Sequence, residues 1–558
     1  MNQMTGAEAM VRMLQLHGVK HIFGLCGDTS LPFYDALFRL DHGMQHILTR
    51  DERSAAYMAD GYARVSGRVG VCEGPSGGGA TYLLPGIVEA NESSIPVLGI
   101  TTDIATTSRG RYALTELDQE ALYRPLTKRT EVINRADKLP EAVRRAFRAM
   151  TTGRPGAAHL GLPFDVQNGQ VAGENVWADM ELGTYPSRRA QPEADAIQQA
   201  ANALTSARMP MFVCGGGVVI AHAEEELAAL ATLLGAPVAT TVSGQGSLAE
   251  DHPLCLGVVG SNGGTLPTRE ALAQADLVVF VGCRAGSVTT ERWRYPAPGT
   301  AVIHIDADPM VIGANYKTEV AIAADAKLAL QGLLDELKMV QQKDGISLVR
   351  AAKERKFAAF RELAVKDDVP ILPERIVAAL HEILPRDATL VCDPGTPCPY
   401  FSAYYEFLEA GRHFISNRAH GALGYSMAAG VGAHFGRPGT KTVSVMGDGS
   451  FGFTAGELET IVRLRVPLMM VVISNSTYGW IKAGQKTGFG QRYYSVDFSP
   501  TDHARVAEAF GVKAFKVETP ESLKPALVAA AEHGGPALVD IITQPLHEAR
   551  APVSEWVA

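Results

Sequence analysis

The chain has 558 residues, 46% of them hydrophobic and 20% charged. That is a globular composition, and at ~100–200 residues per domain it implies about three domains. The formal net charge of −9 argues against a broad nucleic-acid surface, and no run approaches the ~20 apolar residues of a membrane span. The seven cysteines (26, 72, 214, 255, 283, 392, 398) are scattered without a Cys-x-x-Cys pair, which speaks against a disulfide scaffold or structural zinc and for a reducing, cytoplasmic setting.

Thr5 is placed to cap a first helix with Ala7, Met10, Val11 and Leu14 on one face. The N-terminal stretch has no basic start, continuous apolar core or small-residue cleavage site, so no secretory signal is expected. The next segment, TRDERSAAYMADGYARVSG (49–67), places Glu52 at the start of a helix. Ala55, Ala56, Met58, Ala59 and Tyr62 give that helix a close-packed small face, and its partial positive end lies beside the Glu52 carboxylate.

Strands are predicted at VGVCEG (69–74), PVLGIT (96–101), MFVCGG (211–216), DLVVFVG (276–282), AVIHID (301–306), TVSVMGD (442–448) and LMMVVISN (468–475), each β-branched and bounded by Gly, Pro or Asp. Helical patterns such as EAVRRAFRAM (141–150) and EELAALATLL (225–234) lie between them. This alternation predicts an α/β fold of doubly wound parallel-sheet domains with helices on both faces. Residues near 176–195 lack a clear period, and residues near 340–372 carry a Lys- and Arg-rich helix-like run followed by DDVPILP. Taken as connectors, they give domains over residues 1–175, 190–340 and 365–558.

The most informative segment begins with Gly447, Asp448, Gly449 and Ser450 at a strand end and runs through a second apolar strand to Asn475. Magnesium prefers octahedral oxygen ligands shared with phosphate. Asp448 offers a carboxylate and Asn475 an amide oxygen, each just past the carboxyl end of a strand, where open α/β sheets bind ligands. Gly449 and Ser450 open a helix whose free N–H groups suit a diphosphate.

This arrangement resembles the thiamine-diphosphate motif of the 2-oxo acid decarboxylase and acetolactate synthase family, which runs from Gly-Asp-Gly to an Asn pair. Ser474 stands here for the first Asn of that pair. The resemblance implies Asp448, Asn475 and the Thr477 carbonyl as magnesium ligands, with Gly447, Gly449, Ser450 and Gly479 beside the cofactor. Residues 49–67 resemble the family segment around its activating glutamate, which implies that Glu52 touches the cofactor's aminopyrimidine as the protein's acid/base group. HGALGYSMAAGVGAHFG (420–436) resembles the segment supplying a bulky apolar wedge, which places Leu423 and Gly421 against the cofactor. CDPGTPCPYF (392–401) corresponds loosely to a diphosphate loop, with Gly395 and Thr396 as candidates.

The resemblance covers essentially the whole chain and assigns the three domains as pyrimidine-binding, central dinucleotide-fold-like, and diphosphate- and metal-binding. It implies a cytoplasmic enzyme that decarboxylates a small 2-oxo acid and joins the product to an aldehyde or ketone. A simple decarboxylase or hydroxyketone lyase is the alternative. A homodimer is implied as the minimal active unit, with tetramers common, and neither nucleic acid nor membrane as a partner. Cys26, Asp28, Ser76, Thr115, Glu116 and Trp480 are the candidate substrate residues; a nucleophilic role for Cys26 is the weaker reading, since the cofactor supplies the nucleophile. In the central domain Gly215, Gly216 and Gly217 follow a strand, but the family's flavin stretch reads Arg284-Ala285-Gly286-Ser287-Val288, without its second arginine. FAD is therefore disfavoured.

Overall fold

A computed structural model describes residues 3–338 and 340–556. It contains three six-stranded sheets whose neighbouring strands all run parallel. The strands predicted from sequence are all present, displaced by a residue or two at their ends. They are buried along nearly their whole length, which explains why they read as continuous apolar runs rather than alternating ones.

The chain divides into two compact units. The first comprises residues 1–188, 417–439 and 454–466. Its sheet has the spatial order Gln45–Leu48, His21–Gly24, Gly70–Gly74, Val97–Asp103, Ala158–Pro163, Arg129–Val132. Connections diverge between His21–Gly24 and Gly70–Gly74, a topological switch point of the kind at which open sheets bind ligands. The first helix, Gly6–Leu16, opens with Thr5 and Glu8 in a reciprocal capping box.

Helix Glu52–Ser66 is central to this unit. Asp51 caps it by accepting the Arg53 N–H at 2.7 Å, and Gly67 ends it at φ +66°, a left-handed conformation that suits glycine. It packs on helix Ser426–Gly436 with almost no side chain between the backbones. A Cβ at Gly61 would lie 2.2 Å from the Ala429 carbonyl oxygen, and one at Gly432 would lie 1.9 Å from that of Met58.

The second unit comprises residues 189–416, 440–453 and 467–558 and holds two sheets. The central sheet runs Cys255–Val258, Val238–Thr240, Pro210–Cys214, Leu277–Val281, Ala301–Asp306, Val320–Ala323. Numbered along the chain this is 3-2-1-4-5-6, the dinucleotide-fold order. The C-terminal sheet runs Phe414–Ser416, Thr389–Cys392, Thr442–Gly447, Met469–Ser474, Ala537–Ile542, Lys513–Val517. It repeats the strand order of the first unit, with its switch point between Thr389–Cys392 and Thr442–Gly447. The Lys- and Arg-rich run near 340–372 is a twenty-residue helix, Gly345–Ala364.

Candidate active site

In the C-terminal sheet, strands Thr442–Gly447 and Met469–Ser474 are neighbours with Gly447 opposite Ile473. Their carboxyl ends therefore bring Asp448 and Asn475 together. Asp448 Oδ2 accepts the backbone N–H groups of Asn475 (2.8 Å) and Ser476 (2.6 Å), while Oδ1 accepts that of Gly449 (2.9 Å). Burial raises the Asp448 proton affinity and these three N–H groups lower it, with burial the larger effect. A divalent cation is the partner that would hold such a carboxylate ionised. The Asn475 side-chain amide makes no protein hydrogen bond among the described residues, so its oxygen is available as a ligand.

A Cβ built on Gly447 or Gly395 would meet nothing within 4 Å, whereas one on Gly479 would meet Leu546 at 3.0 Å and the Thr396 hydroxyl at 3.3 Å. Open space at Gly447 and Gly395 is what a cradle for a diphosphate requires. The Thr396 loop and the Asp448 turn flank the switch point of this sheet, and Ser450 is buried in the short helix Asp448–Thr454. Thr477 is buried, with its hydroxyl on the Val496 carbonyl at 2.9 Å. Among the described residues no three His, Cys, Asp or Glu side chains cluster as a metal site.

In the first unit Glu52 is the first residue of its helix and only 8% exposed. It lies under the turn after strand Gly70–Gly74. A Cβ at Gly79 would be 3.0 Å from Glu52 Oε1 and one at Gly74 would be 3.3 Å from its Cγ, so the glycine-rich turn makes room for the carboxylate. Its proton affinity is raised, chiefly by burial and further by Asp51 and Glu73, against a lowering from its own backbone N–H. A carboxyl whose proton affinity is raised by burial suits an acid/base group.

Leu423 is half-buried in the loop preceding helix Ser426–Gly436. A buried chain of charges holds that loop. Glu89 accepts the N–H groups of Ala419 (3.2 Å) and His420 (2.7 Å), Arg64 bridges Glu89 (3.1 Å) and Asp60 (2.8 Å), and the Tyr425 hydroxyl donates to Asp60. Asn417 closes the loop on the Ala422 carbonyl at 2.6 Å. Gly421 sits in it at φ +73° with open space beyond its Cα.

The substrate candidates divide. Ser76 and Thr115 meet, their hydroxyls 2.7 Å apart, and Thr29 donates to Ser76 at 3.2 Å. Thr115 has φ +68°, a strained setting for a β-branched residue. Glu116 instead closes its own loop on the Gly110 N–H at 2.6 Å, and Asp28 caps the Thr29 N–H at 2.8 Å. The Cys26 thiol is pushed up by burial and then by Glu73, which reduces its thiolate character. Trp480 belongs to the second unit, its ring 5.1 Å from Trp556.

Sequence reasoning passed over Glu73. It is wholly buried in an otherwise apolar strand, its carboxylate accepting from the Tyr34 hydroxyl and, at 3.4 Å, from His46 Nε2. A lone charged residue inside VGVCEG was the available signal. In the central sheet, Gly215 and Gly217 are explained by backbone packing, since a Cβ on either would lie within 2.6 Å of Gly282.

Comparison with known proteins follows this geometry. Residues 4–122 match the thiamine pyrophosphate enzyme N-terminal TPP binding domain, residues 197–333 the central domain, and residues 393–541 the C-terminal TPP binding domain. The chain belongs to the thiamine-diphosphate enzyme family. Among its relatives is a protein of Methanocaldococcus jannaschii described as a probable acetolactate synthase large subunit, 36% identical over 97% of this chain and 92% of that protein. A Methanococcus aeolicus protein of the same description is 34% identical over the same shares. The acetolactate synthase of Mycobacterium bovis is 32% identical over 97% of this chain and 88% of its own length. This thiamine-diphosphate enzyme thus matches relatives described as acetolactate synthases over most of their length, and no helix among its described residues is long and apolar enough to cross a membrane.

Proposed function

We propose that this enzyme decarboxylates a small 2-oxo acid and ligates the product to a second aldehyde or ketone, in the manner of an acetolactate synthase, in the cytoplasm and as a homodimer or tetramer. The observation that carries the reading is the Asp448 turn, where a buried carboxylate is aimed by the backbone of Asn475 and Ser476 beside glycines that leave room for a diphosphate. When bound, thiamine diphosphate supplies the nucleophilic carbon and the electron sink that this chemistry needs.

The chain's own residues then have distinct tasks. Asp448, Asn475 and the Thr477 carbonyl hold magnesium, and Gly395, Thr396, Gly447, Gly449, Ser450 and Gly479 line the diphosphate. Glu52 holds a proton at the pyrimidine end and exchanges it there. Leu423 supports the bent form of the cofactor from a loop fixed by Glu89 and Arg64. Cys26, Asp28, Ser76, Thr115 and Glu116 of the first unit and Trp480 of the second are the substrate candidates, Ser76 and Thr115 offering hydroxyls to the substrate's polar atoms. The domains are assigned as pyrimidine-binding (1–175), central (190–340) and diphosphate-binding (365–558). Flavin in the central domain is disfavoured, since the stretch that begins at Arg284 lacks the second arginine of the family's flavin stretch and close backbone packing on Gly282 accounts for Gly215 and Gly217.

The test is calorimetric titration of thiamine diphosphate into the protein with and without Mg2+. Tight binding that needs the metal, lost in Asp448→Ala, is expected. Equal affinity in Asp448→Ala at all metal concentrations would remove Asp448 from the metal site.

A further inference from the structure

Ser474 ends its strand one residue before Asn475, and every polar atom of its side chain and carbonyl is engaged. Its hydroxyl donates to Asp540 Oδ1 at 2.5 Å. Its carbonyl accepts the Thr543 N–H at 2.9 Å and the Thr543 hydroxyl at 3.3 Å. Asp540 lies on the neighbouring strand opposite Val472, wholly buried, and its Oδ2 accepts the backbone N–H of His503 at 3.0 Å. The His503 ring closes the set, with Nδ1 3.1 Å from Ser474 Oγ and 3.4 Å from Asp540 Oδ1.

One proton per hydroxyl fixes the directions. Ser474 gives its proton to Asp540, so it can only accept from His503, and the imidazole must carry a proton on Nδ1. The His503 ring also packs against Phe451 in a T-shaped arrangement, with centroids 5.1 Å apart at 77°. Phe451 directly follows Ser450. One imidazole therefore touches both the turn that carries Asn475 and the helix that begins with Asp448.

That turn needs support. Ser476 has φ +55°, a left-handed conformation that costs an L residue free energy and persists only where its surroundings over-determine it. We propose that Asp540 and His503 are positioning residues for the metal- and diphosphate-binding turn. By clamping Ser474 they keep the N–H groups of Asn475 and Ser476 on Asp448 and aim the Asn475 amide oxygen at the cation. This rests on the assignment of Asp448 and Asn475 as magnesium ligands. Groups that orient metal ligands from behind change metal affinity by ~10–100-fold when removed.

The experiment is a double-mutant cycle in the full-length protein with Ser474→Ala, His503→Phe and their combination. Mg2+ is titrated calorimetrically at fixed thiamine diphosphate, and the melting temperature of the cofactor-free protein is recorded in parallel. Each single variant should raise the half-saturating Mg2+ concentration about tenfold, and the pair should be at most about twofold worse than either, because both break one network. His503→Asn, whose amide nitrogen takes the place of Nδ1, should recover much of the affinity. Variants that melt lower but reach half-saturation at the wild-type Mg2+ concentration would show an ordinary packing role and overturn the proposal. Wild-type protein whose cofactor binding ignores Mg2+ would instead overturn the metal assignment beneath it.

Discussion

Gly61→Ala is the most informative single change in the first unit. Its Cβ would stand 2.2 Å from the Ala429 carbonyl oxygen against the 3.0 Å limit for real contacts, a deficit of about 0.8 Å that a backbone atom cannot relieve by rotating away. Overpacking of this kind costs ~1–3 kcal/mol, offset by the ~0.8–1 kcal/mol by which alanine favours a helix interior. The backbone clash places the cost at the upper end, so a net loss of about 1–2 kcal/mol is expected, or about 2–8 °C in the melting of a unit of this size. The two helices carry Glu52 at the start of one and the Leu423 loop before the other. Separating them by nearly an ångström should lower kcat by one to two orders of magnitude, since a 1 Å misplacement costs up to ~100-fold. Scanning calorimetry and steady-state turnover read the two effects. Gly332→Ala is the control of opposite sign: its Cβ would find Ile197 at an ordinary 3.4 Å, so it should melt at or above wild type. Gly61→Ala that behaves like Gly332→Ala, with full turnover, would refute the close-packing argument.

Glu52→Gln should retain cofactor affinity while turnover falls by ~100–10,000-fold, the range for loss of an acid/base group. Its stability should also change with pH. Glu52 binds its proton more tightly folded than at the ordinary 4.5, so native protein carries more protons above that pH and loses stability as pH rises through the folded value. Wild type should therefore melt below Glu52→Gln at about pH 8, with the gap closing as pH falls below 4.5; a gap that widens in acid would reverse the sign assigned to burial. Arg64→Ala leaves Asp60 and Glu89 buried without their cation, a change worth ~3–5 kcal/mol, and proteolysis of residues 417–425 should accelerate. Unchanged cleavage there would separate the charge chain from the Leu423 loop.

The central strands were legible in the sequence because they are buried on both faces, so short β-branched runs stand out between Gly, Pro and Asp; the partly exposed edge strands Gln45–Leu48, Arg129–Val132, Val320–Ala323 and Lys513–Val517 carry no such run and were not. The Asp448–Asn475 pair was legible for a related reason: two adjacent parallel strands erase the 27 positions between the residues. What stayed hidden depends on partners whose pairing leaves no local pattern. Nothing in VGVCEG shows that Glu73 will find Tyr34, 39 positions away. Asp540 reads as one acid in an apolar strand until its neighbours Ser474 and His503 are in place. The sequence run 420–436 is apolar and small, yet that it packs backbone to backbone on the Glu52 helix is visible only once Gly61 and Gly432 face each other's partners. Nor does the sequence show that the Glu116 carboxylate turns back to accept the Gly110 N–H rather than joining the Ser76–Thr115 pair.

The central claim is that the chain decarboxylates a 2-oxo acid and forms a carbon–carbon bond. Proton NMR of pyruvate incubated with the protein, thiamine diphosphate and Mg2+, with and without an added aliphatic aldehyde, tests it most directly. The account predicts loss of pyruvate with the appearance of acetolactate, or of a mixed hydroxyketone when the aldehyde is present. Release of acetaldehyde alone, or pyruvate left intact by protein with the cofactor bound, would contradict it.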